Sequence, residues 1–296
     1  MKLRMEDNNL IALMAEKTAA FSKGQKRIAQ YITDHYDEAA FMTALKLGNA
    51  VGVSESTVVR FAAELGFAGY PQLQKAMQGL IRSRLTTLQR IEVSRARMHD
   101  DEVLDDVMSY DMSNIRETLE EMPRDVFYDA VDTIVRARRV YIFGAGSCRA
   151  LASFAAYYLK LFLPNVQLIT VTGQSEIFEE MISISEEDAI IGISFPRYSS
   201  RAVRTLHYAA SKDVKVIALT DSPASPIAKF ASHLLLAHSD MASVVDSLAA
   251  PLSLLNALIV AVSLKQLDSR REVLTELEEL WNSYDVYLSA DGVEKR

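Results

Sequence analysis

Apolar positions between residues 10 and 91 recur at intervals of three and four, and no convincing run there alternates. Ile28, Tyr31 and Ile32 form one stripe, and Leu73, Met77, Leu80 and Ile81 another. Such spacing gathers apolar side chains on one helix face and predicts a bundle of short helices. From residue 80 to 97 the chain turns polar and basic, with a thin stripe at Leu85, Leu88 and Ile91. That stretch reads as a connecting helix running into a linker, with a break at MHDDE, residues 98–102. Another helix is expected beyond it, carrying Val103, Val107, Met108, Met112, Ile115 and Leu119 on one side. Pro123 fits the start of the next helix, where its missing N–H costs nothing.

The texture changes after Arg139. Short apolar runs alternate with helical patterns: VYIF at 140–143, VQLITV at 166–171, AIIGIS at 189–194, VKVIALT at 214–220 and HLLLA at 233–237. Runs apolar on both faces suit buried strands of a parallel sheet, and the alternation implies βαβ units. Two long helices, about 244–266 and 270–288, are expected to close the chain. The predicted fold class is therefore α plus α/β: an all-helical N-terminal bundle, then a parallel-sheet α/β sandwich. The expected boundaries are a first domain at 1–82, a helical linker at 83–122 and a second domain at 123–296.

Residues 43–62 carry the sharpest local signal. Leu47 and Val51 share a helix face, and Gly48 is small where a second helix must cross closely. Gly52 supplies the left-handed backbone that ends the first helix. Ser54 is placed to cap the second helix by accepting a backbone N–H. Val58 and Phe61 continue the inward face of that helix. Glu55, Ser56, Thr57 and Arg60 face outward, short or hydrogen-bonding at its start. Hydroxyls can contact bases or phosphates, and Arg60 can reach a guanine edge or a phosphate. This is a helix-turn-helix pattern, and its expected partner is double-stranded operator DNA. A plain helical hairpin with a glycine turn is the bland alternative.

Charge favours the first. The whole chain carries −7, but residues 1–97 hold 14 basic and 9 acidic residues, a balance of +5. The remainder holds 18 basic and 30 acidic residues, a balance of −12. A basic module favours phosphate backbone, and an acidic body keeps the rest of the surface off it. Lys23, Lys26, Lys46 and Lys75 are further candidates for phosphate contacts. The lone cysteine, Cys148, rules out an internal disulfide framework. The N-terminus lacks an apolar signal core, and the uncharged stretch 247–264 is interrupted by Pro251, Asn256 and three serines. A helix buried in a core or dimer interface, in a cytoplasmic protein with no membrane partner, is the reading. No metal constellation is evident among five scattered histidines and one cysteine.

In the second half, a strand leads into Gly144-Ala145-Gly146-Ser147 and then a helix. Glycines allow a tight turn and close approach of a ligand, and helix-start N–H groups favour an anion. Arg149 stands where a dinucleotide motif needs its third glycine, so NAD is disfavoured and no cofactor is expected. The third strand ends in Ser194-Phe195-Pro196-Arg197-Tyr198-Ser199-Ser200, and the fourth in Thr220-Asp221-Ser222. Three polar loops then share the carboxyl edge of a sheet, where open α/β folds hold ligands. Arg197 can grip a phosphate or carboxylate with two donors.

Residues 21–77 resemble the N-terminal domain of the RpiR/MurR regulators. The resemblance rests on the SxxxxxIAxYI opening, the GVSxSTVVRF segment and the LGFxGYPxLQ sequence after it. It covers about residues 10–80 and implies a DNA-binding domain with its recognition helix at about 54–64. Gly48-Asn49 departs from the more usual Leu-Ala. The loops of the second half resemble the SIS (sugar isomerase) domain: GAGS, the serine-rich loop after AIIGIS, and VIALTDSPASPIAKFAS. That resemblance spans roughly 125–260 and implies a five-stranded parallel sheet with a phosphosugar site. By the match, Ser147, Ser194, Ser199 and Ser200 would contact ligand. The common second loop is SxSGxT, whereas here Pro196-Arg197-Tyr198 replaces the small part, leaving room for another anionic metabolite.

Two functions remain open. The first is a regulator whose operator binding responds to a sugar phosphate or related anion, acting as a homodimer or tetramer. Dimers pair recognition helices over a palindrome, and 103–119 and 247–264 are the candidate interfaces. The second is a sugar-phosphate isomerase with an appended helical domain. It needs a base beside the substrate carbon, for which Glu176, Glu179 and His207 are available but sit in no assigning motif.

Overall fold

The computed structural model describes residues 10–82, 91, 101–239 and 246–287. The chain divides into two compact units, Met1–His99 and Asp100–Arg296.

The described part of the first unit is helical: α1 (Leu10–Lys17), α2 (Lys23–Asp34), α3 (Tyr36–Ala39), α4 (Ala44–Val51), α5 (Glu55–Glu64) and α6 (Tyr70–Arg82). The predicted stripes face inward: Ile28, Ile32, Leu47, Val58, Phe61, Leu73 and Met77 are fully buried. Phe21 meets Phe61 edge to face at 5.2 Å, joining the entry to α2 with α5. A reciprocal cap starts α2: Ser22 Oγ accepts from Gln25 N–H while Gln25 Oε1 accepts from Ser22 N–H. Tyr70, the first residue of α6, donates to Met42 O at 2.7 Å, and burial pushes its phenol up to about 12. The expected connecting stripe lies outside the described residues except for Ile91.

The second unit begins with α7 (Val103–Glu121) and α8 (Arg124–Arg136), Pro123 preceding α8. Then come β1 (Val140–Gly144), α9 (Cys148–Phe162), β2 (Val166–Leu168), α10 (Gln174–Glu180), β3 (Ala189–Ile193), α11 (Ser200–Ala210), β4 (Lys215–Thr220), β5 (His233–Leu236) and α12 (Ala249–Ser283). The five strands are parallel, in the order β2-β1-β3-β4-β5. β1 and β3 are buried along their whole length, as their unbroken apolar runs require. One sheet face packs on α8, α9 and α12, with Val131, Ile134, Leu159, Leu255 and Leu258 in its core. The other packs on α10 and α11 through Ile177, Ala202 and Leu206.

Two expectations change. β2 stops at Leu168 rather than residue 171, its pairing with β1 ending at Ile142 opposite Leu168. The two closing helices are one 35-residue helix, α12. No proline or glycine interrupts residues 264–272, and Ser269 Oγ bonds back to Gln266 O, so the chain has no reason to break there. α7 buries its polar side, Asn114 and Thr118, and exposes Leu104, Met108, Met112, Ile115 and Leu119. The buried side is held by hydrogen bonds: Thr118 Oγ1 accepts from His238 N–H at 2.9 Å, and Asp111 accepts from Ser247. α12 is long and apolar enough to cross a membrane by length and composition. Its first half instead buries Leu254, Leu255, Leu258, Ile259 and Val262 against the sheet.

The amino ends of β1 and β3 are clamped by one ion pair. Arg138 donates to both oxygens of the buried Asp188 at 2.9 and 2.7 Å, and Ser185 N–H adds a third bond. Burial opposes ionisation of Asp188, but Arg138 and that N–H outweigh it and hold the carboxyl below its ordinary range. A carboxyl lowered on folding stabilises at neutral pH and loses that contribution as pH falls through its folded value. Asp188→Asn is expected to cost about 2–3 kcal/mol at neutral pH, less as the solution is acidified below the usual carboxylate range. Urea unfolding of both proteins across that range checks this; a pH-independent difference would refute the ionic account.

Candidate functional site: a helix-turn-helix face and a sheet-edge crevice

The turn between α4 and α5 is built by backbone constraint. Gly52 adopts φ +70°, and Val53 N–H reaches back to Gly48 O at 2.8 Å, which closes α4. A Cβ at Gly48 would stand 2.8 Å from Val53 O, so the close crossing expected there is real. Arg27 of α2 donates to Gly52 O at 2.9 Å, and Gly24 lets the start of α2 approach Val53 and Thr57.

Ser54 occupies the N-cap position of α5, but its side chain does not cap. Its Oγ lies 2.9 Å from both Ser56 Oγ and Thr57 Oγ1. The hydroxyl thus does not accept from the helix-start N–H groups as expected, and pairs with two neighbouring hydroxyls instead. Glu55, Ser56 and Arg60 are exposed, and Arg60 Nε folds back onto Ser56 O at 3.3 Å. Ser22, Gln25 and Arg27 of α2 face Ser54, Thr57 and Arg60 across a groove of about 780 Å³. Lys23, Lys26 and Lys46 are exposed, as phosphate contacts require. The Lys75 side chain lies outside the described positions.

In the second unit, the strand order reverses between β1 and β3: the chain leaves β1 for β2 on one side and returns to β3 on the other. The crevice at that switch point opens at the carboxyl ends of the strands. Gly144 is buried there, and a Cβ on it would stand 2.4 Å from Cys148 O. Gly146 takes φ +62°, with open space beside it. Ser147 is exposed at the head of α9. The first N–H groups of α9 are engaged weakly with loop carbonyls, at 3.2–3.3 Å, rather than standing free.

The β3 loop faces this turn. Burial pushes the Cys148 thiol at the root of α9 up, against a smaller lowering influence from the Phe195 backbone and the Ser147 side chain. Arg197 is exposed and held at φ +64°, a left-handed backbone that a non-glycine residue rarely adopts. Ser199 precedes α11 and Ser200 opens it. Ser194 and Thr220 are buried beneath the loops, Ser194 N–H donating to Leu219 O within the sheet. Ser222 serves its own turn, its Oγ accepting from Ala224 N–H.

Sequence reasoning passed over Tyr198 and Asp221. Tyr198 Oη donates to Asp221 Oδ1 at 2.9 Å, tying the β3 loop to the β4 loop, and Thr220 Oγ1 donates to the same oxygen at 3.3 Å. Arg201 reaches Thr172 O at 2.8 Å and ties in the β2 loop. Nothing local marks these pairs, whose partners lie 23 and 29 residues apart. Of the three candidate bases, Glu176 accepts from Gly173 N–H to cap α10, Glu179 is exposed, and His207 packs beside Phe230.

Known proteins share both parts. Residues 8–83 match the helix-turn-helix domain of the rpiR family, and residues 133–261 match the SIS domain. The HTH-type transcriptional regulator HexR of Pseudomonas aeruginosa is 24% identical over 227 residues, 75% of this chain and 76% of that one. An uncharacterized HTH-type transcriptional regulator of Caldanaerobacter subterraneus is 21% identical over 264 residues, 87% of this chain and 92% of its own length. The sugar isomerase domain of the RpiR transcription factor from Sphaerobacter thermophilus superposes with a TM-score of 0.58 at 28% identity. It covers 60% of this chain and 99% of that one. The Vibrio vulnificus NanR protein, solved in complex with ManNAc-6P, has the same fold: its TM-score is 0.56 at 18% identity, over 92% of this chain and 98% of its own. With both domains in this order, the chain belongs to the RpiR family of helix-turn-helix transcriptional regulators that carry a C-terminal SIS domain.

Proposed function

We propose that this chain binds operator DNA through α5 and changes its DNA affinity when a phosphorylated sugar, or a related small anion, occupies the SIS crevice. The observation that carries the reading is the outward face of α5, with Glu55, Ser56 and Arg60 exposed on a helix whose other side is core. The +5 balance of the first 97 residues and the exposed Lys23, Lys26 and Lys46 supply the attraction to phosphate. The ligand class follows from the crevice: a glycine turn, Ser147, Arg197 and the head of α11 at one switch point. NanR, of the same fold, holds a sugar phosphate. Of the three candidate bases, Glu176 is engaged in a helix cap and His207 packs beside Phe230, which supports a sensor over an enzyme. Such a protein works in the cytoplasm, where operator and metabolite meet.

A dimer belongs to this reading. The exposed apolar stripe of α7 flanks a hollow of about 350 Å³ lined by Met122, Phe127 and Tyr128, and by Ala250, Leu254 and Ala257 of α12. A patch of that kind marks an association surface. Two-fold pairing would also set two recognition helices on a palindrome.

Three outcomes are expected. Arg60→Ala weakens operator binding by about 1–3 kcal/mol and relaxes preference at one base position, measured by band shift; unchanged binding removes Arg60 from the contact set. Ser147→Ala combined with Arg197→Ala abolishes the response of DNA binding to a sugar phosphate that shifts the parent's melting temperature, with DNA affinity near normal. A parent-like response places the sensing site elsewhere. Light scattering at micromolar concentration reports a dimer or larger species; a monomer with and without DNA rejects the pairing.

A further inference from the structure

α5 presents an apolar residue on an outward face shared with Glu55, Ser56 and Arg60. Val58 is fully buried and fills the core side of the helix, but the next residue, Val59, is 42% exposed. Val59 shares a shallow outward crease with Glu55, Ser56 and Arg60. The 56–60 and 55–59 spacings set these four as two adjacent rows on one face. Ser54 and Thr57 turn instead toward the groove shared with α2. A β-branched residue on an exposed helix surface gives up side-chain freedom and offers the helix nothing that alanine would not. Its place at the centre of the outward face has no account within the domain.

Building on the DNA-binding reading above, we infer that Val59 is a specificity determinant that packs against the C5-methyl group of a thymine in each operator half-site. The major groove admits an α-helix, and the thymine methyl is the apolar feature on its base edges. Hydrogen-bonding side chains flank Val59 on its face, as a thymine step beside a base read by Arg60 requires. Val59 supplies two methyl groups, no donor and no acceptor, so it rewards thymine over cytosine or uracil at that one step. Ser56 and Arg60 have no such preference for the methyl.

The test removes the methyl without touching hydrogen bonding. Preferred duplexes are selected with the full-length protein from a randomised library, and each thymine is then replaced singly by uracil. One replacement per half-site is expected to weaken binding by the parent about fourfold, the worth of one buried methyl group. Val59→Ala should bind the thymine duplex more weakly by a similar factor and be indifferent to uracil at that step. Val59→Ile should keep the preference. Val59 is exposed and alanine is the better helix former, so equal helical content by circular dichroism verifies the fold. If no uracil position weakens the parent, or if Val59→Ala stays as sensitive as the parent, the inference is overturned while DNA binding stands. If the parent selects no preferred sequence, both readings fall.

Discussion

β1 and β3 lie side by side, buried on both faces, and their pairing fixes where each loop of the second unit can stand. Five residues of each strand are in register, from Val140 opposite Ala189 to Gly144 opposite Ile193. At the amino end the pair is locked by Arg138 and Asp188, whose three hydrogen bonds satisfy a carboxylate that burial disfavours. At the carboxyl end the same register sets the glycine turn before α9 beside the serine-rich loop before α11. A slip there would move both loops and reverse the buried faces of the strand, so the crevice inherits its precision from the sheet. The loops are then tied crosswise, by Tyr198 to Asp221 and Arg201 to Thr172. Pro196-Arg197-Tyr198 therefore does more than replace a small flexible segment: it stiffens the crevice wall through Tyr198 and holds Arg197 in a left-handed backbone.

A different constraint shapes the first unit. The angle between α4 and α5 depends on how closely their backbones approach, and Gly48 and Gly52 set that approach. Core residues fix α5 from within through Val58 and Phe61. Arg27 and Gly24 fix the turn from the side of α2. The outward face of α5 is thus presented by a scaffold held from two directions, which is what a reader of base edges needs. The Ser54, Ser56 and Thr57 hydroxyls bond to one another, so the start of the helix offers a linked polar surface rather than separate side chains.

α7 shows how a correct periodicity can be turned the other way. Its apolar stripe is real, but hydrogen bonds at Thr118 and Asp111 hold the polar side, with Asn114 buried on it, against the rest of the unit. A helix with apolar residues facing water is incomplete by itself. The stripe and the adjoining hollow at α12 belong together as one surface, next to the sheet that carries the crevice.

Sequence alone determined the helical bundle, the parallel sheet, the glycine turn of the helix-turn-helix and the three polar loops. Each of these is set locally: by the period of burial, by the backbone conformations that Gly52 and Gly146 permit, or by the polar residues that follow a buried strand. Tertiary structure decided what depends on distant partners. Ser54 could have capped α5, yet its neighbours' hydroxyls claimed it. The polar residues of α7 could have faced water, yet His238 and Ser247 drew them inward. Tyr198 and Asp221 are ordinary loop residues until the sheet brings their strands together. Ser222, chosen for the site on its residue type, also serves its own turn. A local pattern states which face is apolar and which residues can bond; only the packed chain determines what that face meets and which bond is made, because those energies are shared between residues far apart in sequence.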